Sequence, residues 1–169
     1  MKMFAVLFAF MLCFESTAFA EPVGKAFFHA EGLGLALDCD GVAENVSAEG
    51  VKVEGGKLVA GKYTVKSDAF KTGMGLRDTH LQELLKAKQN PNLEFAPALP
   101  LELKDGAPFS GVLKIAGVTK KVNGKLSLSG KKATFAGPVK LSDFGMKPPE
   151  WQGTTIADLV EVRVEVNVP

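Results

Sequence analysis

Apolar and polar residues alternate along most of the chain from residue 51 onward, and the strictest run stands near its end. In residues 160–168, VEVRVEVNV, the valines Val160, Val162, Val164, Val166 and Val168 share one parity, and Glu161, Arg163, Glu165 and Asn167 share the other. Successive side chains of a strand point to opposite faces, so this spacing separates an apolar face from a polar one. The same rule puts Phe109, Leu113 and Ile115 on one face of FSGVLKI, and Val122, Leu126 and Leu128 on one face of VNGKLSL. In ATFAGPVKL it gathers Ala133, Phe135, Val139 and Leu141. Earlier, SAEGVKVEGGKLVAGKYTV predicts a hairpin, with Val51 and Val53 on one arm, Val59, Tyr63 and Val65 on the other, and Gly55-Gly56 as the tight turn. Residues 23–41, VGKAFFHAEGLGLALDCDG, are Gly-rich and poorly patterned.

One stretch changes period. In TGMGLRDTHLQELL, residues 72–85, Leu81, Leu84 and Leu85 form a helical stripe, Thr79 and Gln82 have the spacing of a capping box, and Asp78 offers a carboxylate to the first-turn amides. Pro91 is the expected stop. Seven or eight strands with one wet face, joined by short turns, predict an antiparallel sheet. Curling that sheet on itself covers its apolar face and removes exposed edges, so a barrel is expected, with a two-sheet sandwich as the alternative. A transmembrane barrel is set aside, because it would turn its apolar faces outward and its strands would be longer.

The first twenty residues, MKMFAVLFAFMLCFESTAFA, read as a secretory signal peptide: Lys2 near the start, an apolar run from Phe4 to Cys13, and small residues at Ala18 and Ala20 before Glu21. The run is shorter than the ~20 residues that cross a bilayer. The expected organisation is a signal peptide at 1–20 and one domain over 21–169, periplasmic or secreted after cleavage, without a transmembrane segment. The full chain carries 20 basic and 19 acidic residues, and the signal removes one of each, Lys2 and Glu15. Near-neutrality gives no electrostatic reason to expect nucleic acid or an anionic membrane. A homodimer is left open. Cys39 is the one cysteine beyond the signal, so packing alone must hold the fold, and its simplest reading is a buried small hydrophobe.

Catalytic patterns are sparse. Arg77, Asp78 and His80 fall within four positions, but side chains two apart on a helix do not face each other, so Asp78 and His80 make no dyad. The favoured reading is that Asp78 caps the helix, Arg77 pairs with a carboxylate or carbonyl at the strand-to-helix junction, and His80 packs with its polar tip satisfied. With only His29, His80 and Cys39 available, no zinc spacing exists. Ser142-Asp143 lacks a nucleophile elbow, and no GxGxxG or Walker loop precedes a helix. The chain is read as a non-enzyme without cofactor or metal. Apolar residues instead stand where loops are normally polar: Phe144, Met146 and Trp151 in DFGMKPPEWQG, and Met74 and Leu76 before the helix. Such side chains line or cover a pocket mouth, or plug a barrel end.

Several segments in order resemble the YceI-like, or polyisoprenoid-binding, family of secreted bacterial proteins. They are GKLVAGKYTVKSDAFKTG, LRDTHL, NPNLEFA, FSGVLKIAGVTKKVNGKLSL, KLSDFGM and ADLVEVRVEVNV, spanning about residues 57 to 168. The residues carrying the likeness include Thr72, Gly73, Arg77, Asp78, His80, Gly111, Gly117, Thr119, Lys120, Asp143, Phe144 and Gly145. The resemblance implies an all-β, eight-stranded antiparallel lipocalin-like barrel with one short α-helix. It implies a periplasmic carrier that holds an amphiphilic lipid, an isoprenoid such as a polyprenyl phosphate or a quinone, in an apolar interior. The alternative is a ligand-free barrel acting as a protein-interaction or structural module. The residues expected to bind ligand are Phe70, Met74, Leu76, Arg77, His80, Leu84, Phe95, Leu113, Lys120, Phe135, Phe144, Met146 and Trp151, with Arg77, His80 and Lys120 serving the polar head. An eight-stranded barrel is only just wide enough for one ligand or for its own side chains, so small differences in bulk decide between the two.

Overall fold

The computed structural model describes residues 22–33, 38–151 and 153–169, the side chains of Pro22 and Trp151 excepted. The signal peptide expected over residues 1–20 lies outside the described residues. In chain order the elements are β1 (Pro22–Leu33), β2 (Cys39–Glu54), β3 (Lys57–Lys66), α1 (Gly75–Leu84), β4 (Asn92–Pro97), β5 (Leu101–Glu102), β6 (Pro108–Ile115), β7 (Val118–Ser129), β8 (Lys132–Lys140), a 3-10 turn (Ser142–Phe144), β9 (Glu150–Trp151) and β10 (Thr154–Asn167).

Neighbours pair antiparallel in the order β1, β2, β3, β4, β6, β7, β8, β10, and β10 returns to β1 from Gly24↔Val166 to Leu33↔Thr155. The sheet is therefore a closed eight-stranded barrel, and the sandwich alternative is excluded. The short β5 and β9 add to β3 and β10 outside this ring. Period-two patterning predicts which residues turn inward. Val160, Val166 and Val168 are buried, and Val162 and Val164 pack against the same core. Phe109 and Ile115 on β6, Leu126 on β7, and Ala133, Phe135 and Val139 on β8 are buried too.

Three expectations need correction. The stretch read as poorly patterned forms β1, the strand that closes the barrel. Its buried residues, Ala26 and Ala30, are small, and its pairing slips between Pro22 and Ala26 against β2 and between Ala30 and Gly32 against β10, so no clean period survives. On β3 the buried residue is Leu58, fully shielded, rather than Val59. The β2–β3 register shifts on both sides of Lys52↔Ala60, and such a bulge reverses parity between Leu58 and Tyr63. The helix ends at Leu84, well before Pro91. Lys86 adopts φ 51°, while the Lys86 and Ala87 N–H groups donate to the carbonyls of Glu83 and Gln82. This pair of bonds is a Schellman stop, formed here without glycine.

The two barrel ends differ. At the end where β3, β6 and β8 begin, Leu58, Leu126, Ala133 and Val166 are at most 1% exposed. The segment after β5 folds across this end: the Leu103 N–H donates to the Gly56 carbonyl, the Leu126 N–H to Ala107, and the Leu128 N–H to the Asp105 carboxylate at 3.0 Å. Midway along, Tyr63, Phe95, Phe109 and Phe135 meet with ring centroids 5.3–6.3 Å apart. Inward glycines make room for rings. A Cβ on Gly124 would lie 2.8 Å from the Phe109 ring, and one on Gly111 would lie 3.0 Å from the Phe95 ring. Each ring thus lies over a glycine of the next strand, a packing that a side chain there would block. The opposite end carries α1.

Candidate ligand-binding site

Above the aromatic layer the barrel is hollow. A cavity of about 210 Å³ lies between it and α1, with walls that are almost wholly apolar, among them Ala26, Ala30, Leu81, Leu85, Ile115 and Val160. The exposed residues His80 and Glu150 border it, so it reaches solvent at the helix end. A smaller cavity of about 40 Å³ lies beside Phe109 and Phe135 and shares Phe95, Leu113, Val139, Val162 and Val164 with the first. Leu81 and Leu84 of α1 are only half-buried although they pack toward the core. Facing a hollow leaves an apolar helix stripe without the cover a filled core would give it.

The helix is held over this opening by its preceding loop. The Val42 N–H donates to the Lys71 carbonyl at 3.0 Å, and the Lys71 N–H to the Val42 carbonyl at 2.9 Å. These bonds pin the loop to β2 and seat the buried Phe70 ring 5.8 Å from the Phe28 ring. The Thr72 N–H and hydroxyl both donate to Asp78 Oδ1 at 2.7 Å. Those two bonds, then the Lys71 ammonium and the Arg77 guanidinium, hold the Asp78 carboxyl below the usual carboxylate range. Asp78 is therefore a clamp reaching back to the loop. It does not cap first-turn amides, and the capping box is absent: Met74 is the N-cap residue without a side-chain bond, and Thr79 donates to the Gly75 carbonyl from inside the helix.

Arg77 meets the Cys39 thiol of β2 on the cavity wall and acts on the Asp78 carboxylate beside it. Burial pushes that thiol up and Arg77 offsets part of the shift, so Cys39 stays a neutral, half-buried wall residue. Tyr63 borders the larger cavity, is 2% exposed, and its hydroxyl has no hydrogen-bond partner among the described residues. Burial pushes the Tyr63 phenol up to about 12, so it carries its proton throughout the physiological range. His29 forms a histidine–carboxylate pair: its Nδ1 lies 2.7 Å from Asp40 Oδ1 on the exposed surface of β1 and β2. Among the described residues, no three His, Cys, Asp or Glu side chains stand close enough to hold a metal ion. No described helix is long and apolar enough to cross a membrane.

A family model described as a YceI-like domain matches residues 20–168. The chain belongs to the YceI-like family. Its barrel resembles that of BcnA from Burkholderia cenocepacia, with 22% identity, a TM-score of 0.62, and coverage of 85% of this chain and 96% of that one. It likewise resembles a polyisoprenoid binding domain from Saccharophagus degradans implicated in plant cell wall breakdown, with 14% identity, a TM-score of 0.62 and coverage of 86% and 94%. A YceI protein from Campylobacter jejuni aligns with 22% identity and a TM-score of 0.56 over 76% of this chain and 84% of its own. No curated protein matches the sequence. The family match extends across β1 and β2, upstream of the motifs that carry the likeness in the sequence.

Within this YceI-like barrel, seven of the residues singled out from sequence border the larger cavity: Phe70, Arg77, His80, Leu84, Phe95, Leu113 and Met146. Phe135 stands below them in the aromatic layer. Met74, Leu76, Lys120 and Phe144 are not among the residues that border it. Met74 and Leu76 are exposed in and beside the first turn of α1, at 47% and 58%. Lys120 pairs with Leu113 across β6 and β7 and is exposed. Phe144 is 2% exposed in the 3-10 turn, where the Asp158 carboxylate holds the start by accepting from the Ser142 N–H at 2.8 Å and the Ser142 hydroxyl at 2.6 Å. Its ring belongs to the buried core cluster. Trp151 lies in β9, and its side chain is outside the described residues. Sequence reasoning passed over Tyr63, Cys39 and Ala30 as site residues. Inward parity was a sufficient signal for Tyr63, whereas Ala30 sat in the stretch whose period was hidden.

Proposed function

We propose that this protein binds an amphiphilic lipid of isoprenoid type and carries or buffers it in the periplasm. The observation that supports this most is the apolar cavity of about 210 Å³ open at the helix end. A cavity of ~150 Å³ holds a benzene molecule, and simple scaling gives room for about eight carbons here. At ~0.8 kcal/mol per buried methylene the gross gain is about 6 kcal/mol. Association itself has a cost, so the tail alone supports an affinity of about millimolar or weaker, and contacts at the mouth decide which lipid is retained. Arg77 and His80 border that mouth. Arg77 is the better partner for a phosphate, because its planar fork engages two oxygens. Lys120 is assigned a peripheral part at most, since it stands outside the cavity wall.

The size falls below the ~300–1,000 Å³ of drug-sized ligand pockets. Only part of a long polyprenyl chain is therefore enclosed, with the remainder leaving through the mouth. The test is mass spectrometry of organic extracts from protein purified out of the periplasmic fraction without detergent. A stoichiometric amphiphile is expected. A clean extract, together with no displacement of a fluorescent isoprenoid probe, would return the barrel to a protein-interaction module.

A further inference from the structure

The near-neutral total charge conceals an uneven distribution. Residues 106–142, which build β6, β7 and β8, carry seven lysines and no aspartate or glutamate, whereas the other residues after position 20 carry twelve basic against eighteen acidic. Parity places much of this charge outside. Thr119, Lys121, Asn123, Lys125, Ser127 and Ser129 are exposed at every second position of β7, and the exposed Lys132 and Lys140 of β8 extend the same surface. At its borders Lys114 pairs with Glu94 of β4 and Lys132 with Glu165 of β10, both at 3.1 Å. Lys120, Lys121 and Lys125, between them on β7, have no carboxylate partner among the described residues. A face kept for solubility alone mixes both signs.

We propose that the outer face of β6, β7 and β8 docks on an anionic phospholipid surface, with Lys121 and Lys125 at its centre. The charge asymmetry stands on its own; the choice of a membrane among polyanions rests on the lipid-binding reading, because a carrier of a water-insoluble chain must meet a bilayer to load or deliver it. Two further features suit a lipid surface. Lys121 stands across from Val112, which is 46% exposed, and Lys125 across from Pro108, so apolar contact accompanies the ammonium groups. The β7–β8 pairing ends at Lys125↔Ala136, and just past it the exposed Asn123 and Pro138 border the cavity of about 40 Å³. Residues of the basic face thus also wall the apolar interior. The carboxylates Asp40, Glu44, Glu49 and Glu54 belong to β2, on the opposite side of the ring, where salt screens them from a surface that touches β7.

The experiment is sedimentation of the full mature chain with vesicles of phosphatidylcholine, alone or mixed with phosphatidylglycerol. Three proteins are compared: the wild type, the pair Lys121→Thr with Lys125→Thr, and the pair Lys52→Thr with Lys57→Thr, which removes the same charge from the β2–β3 hairpin. Threonine keeps strand propensity, so urea midpoints should agree. A lysine near an anionic surface contributes about fivefold in affinity, so the β7 variant is expected to bind mixed vesicles about 25-fold more weakly. The hairpin variant should match the wild type, phosphatidylcholine alone should hold none of them, and salt should release the wild type. A wild type that ignores mixed vesicles, or equal losses in the two variants, overturns the docking face. Retention on heparin that the β7 variant loses, with no vesicle binding by the wild type, overturns the membrane and gives the face to another polyanion. A fluorescent isoprenoid probe titrated without vesicles should bind the wild type and the β7 variant alike. Vesicle docking by a protein that holds no probe would remove the lipid-carrier reading and leave the docking face standing.

Discussion

Truncating Phe135 tests whether the aromatic layer sets the depth of the cavity. The residue is 2% exposed and its ring meets those of Phe95 and Phe109 at 5.3 Å and Tyr63 at 5.8 Å. Phe→Ala in a packed core costs ~3–5 kcal/mol, and aromatic pairs contribute ~0.5–1.5 kcal/mol beyond the area they bury. With three such pairs lost, Phe135→Ala is expected near the upper end, about 4–5 kcal/mol, out of a typical ~5–15 kcal/mol for a domain. Phe135→Leu keeps most of the volume and is expected to cost about 1–2 kcal/mol. Phe135 borders the cavity of about 40 Å³, which shares five wall residues with the larger one, so truncation joins the two. Urea midpoints measure the stability loss. A series of isoprenoid alcohols of increasing length measures the depth: each further methylene admitted adds ~0.8 kcal/mol, about fourfold in affinity. The preferred length should increase in the order wild type, Leu variant, Ala variant. A length preference that stays fixed while stability falls would show that Phe135 is core packing and that something else ends the cavity. A loss below about 1 kcal/mol for the Ala variant would refute the layer as packed.

Three further outcomes follow from particular contacts. Asp78→Asn should loosen the loop before α1 by about 1 kcal/mol at neutral pH, because a charged acceptor for two Thr72 donors becomes a neutral one. The Asp78 pKa is lowered in the fold, so the wild-type advantage exists above the ordinary value of 3.8 and vanishes as pH falls through the folded value; denaturation midpoints of both proteins along an acid series check this. Lys86→Gly should raise stability by ~0.5–1 kcal/mol, or ~2–4 °C in thermal unfolding, by relieving a side chain held at φ 51° in the Schellman stop. For His29, the hydrogen bond to Asp40 raises the imidazole above 6.5, so this pairing supports the fold below 6.5 and fades as pH rises through the folded value. Its ring proton resonances should titrate above 6.5, and Asp40→Asn should bring the midpoint back; an unchanged midpoint in that variant would remove Asp40 as the cause.

The strands from Phe109 to Val168 were readable because each keeps one face in water and one in the core, which writes itself into the chain as a period of two. Where the fold departs from that bargain, the pattern fails for a local reason. β1 presents alanines inward and slips its register three times, twice against β2 and once against β10, so Ala26 and Ala30 carry no apolar signal strong enough to mark a face. The bulge near Lys52 moves burial from Val59 to Leu58, and a bulge is set by the pairing of two strands rather than by either one. Asp78 and Thr72 are six residues apart, a spacing that no helical rule connects, because Thr72 lies outside the helix and the bond depends on how the loop turns back. Of the candidate site, parity located Leu113 on the inner surface, helical spacing located Leu84, and Phe95 came only with the family likeness. The exposure of Lys120 and the burial of Phe144 depend on where barrel ends fall, which strand lengths on neighbouring elements decide together.

Whether the barrel is hollow depends on where along its axis the rings stop. Gly111 and Gly124 let Phe95 and Phe109 lie over the neighbouring strand, and Tyr63 and Phe135 pack against them, so the interior is filled at this level. Toward α1, Ala26 and Ala30 of β1 and Val160 and Val162 of β10 present short side chains to the cavity, while Phe28 and Phe70 border it near the loop before α1. Glycine-supported rings below, and the short side chains of β1 and β10 above, divide one barrel into a packed floor and an open chamber. Adding bulk above the floor should therefore abolish binding without the stability cost of cutting the floor. Ala30→Leu extends a side chain into free space instead of into a packed neighbour, so its cost should stay below the ~1–3 kcal/mol of ordinary overpacking. A variant that keeps its urea midpoint and loses the isoprenoid series locates binding in the chamber; one that keeps both would mean that the lipid sits elsewhere on the protein.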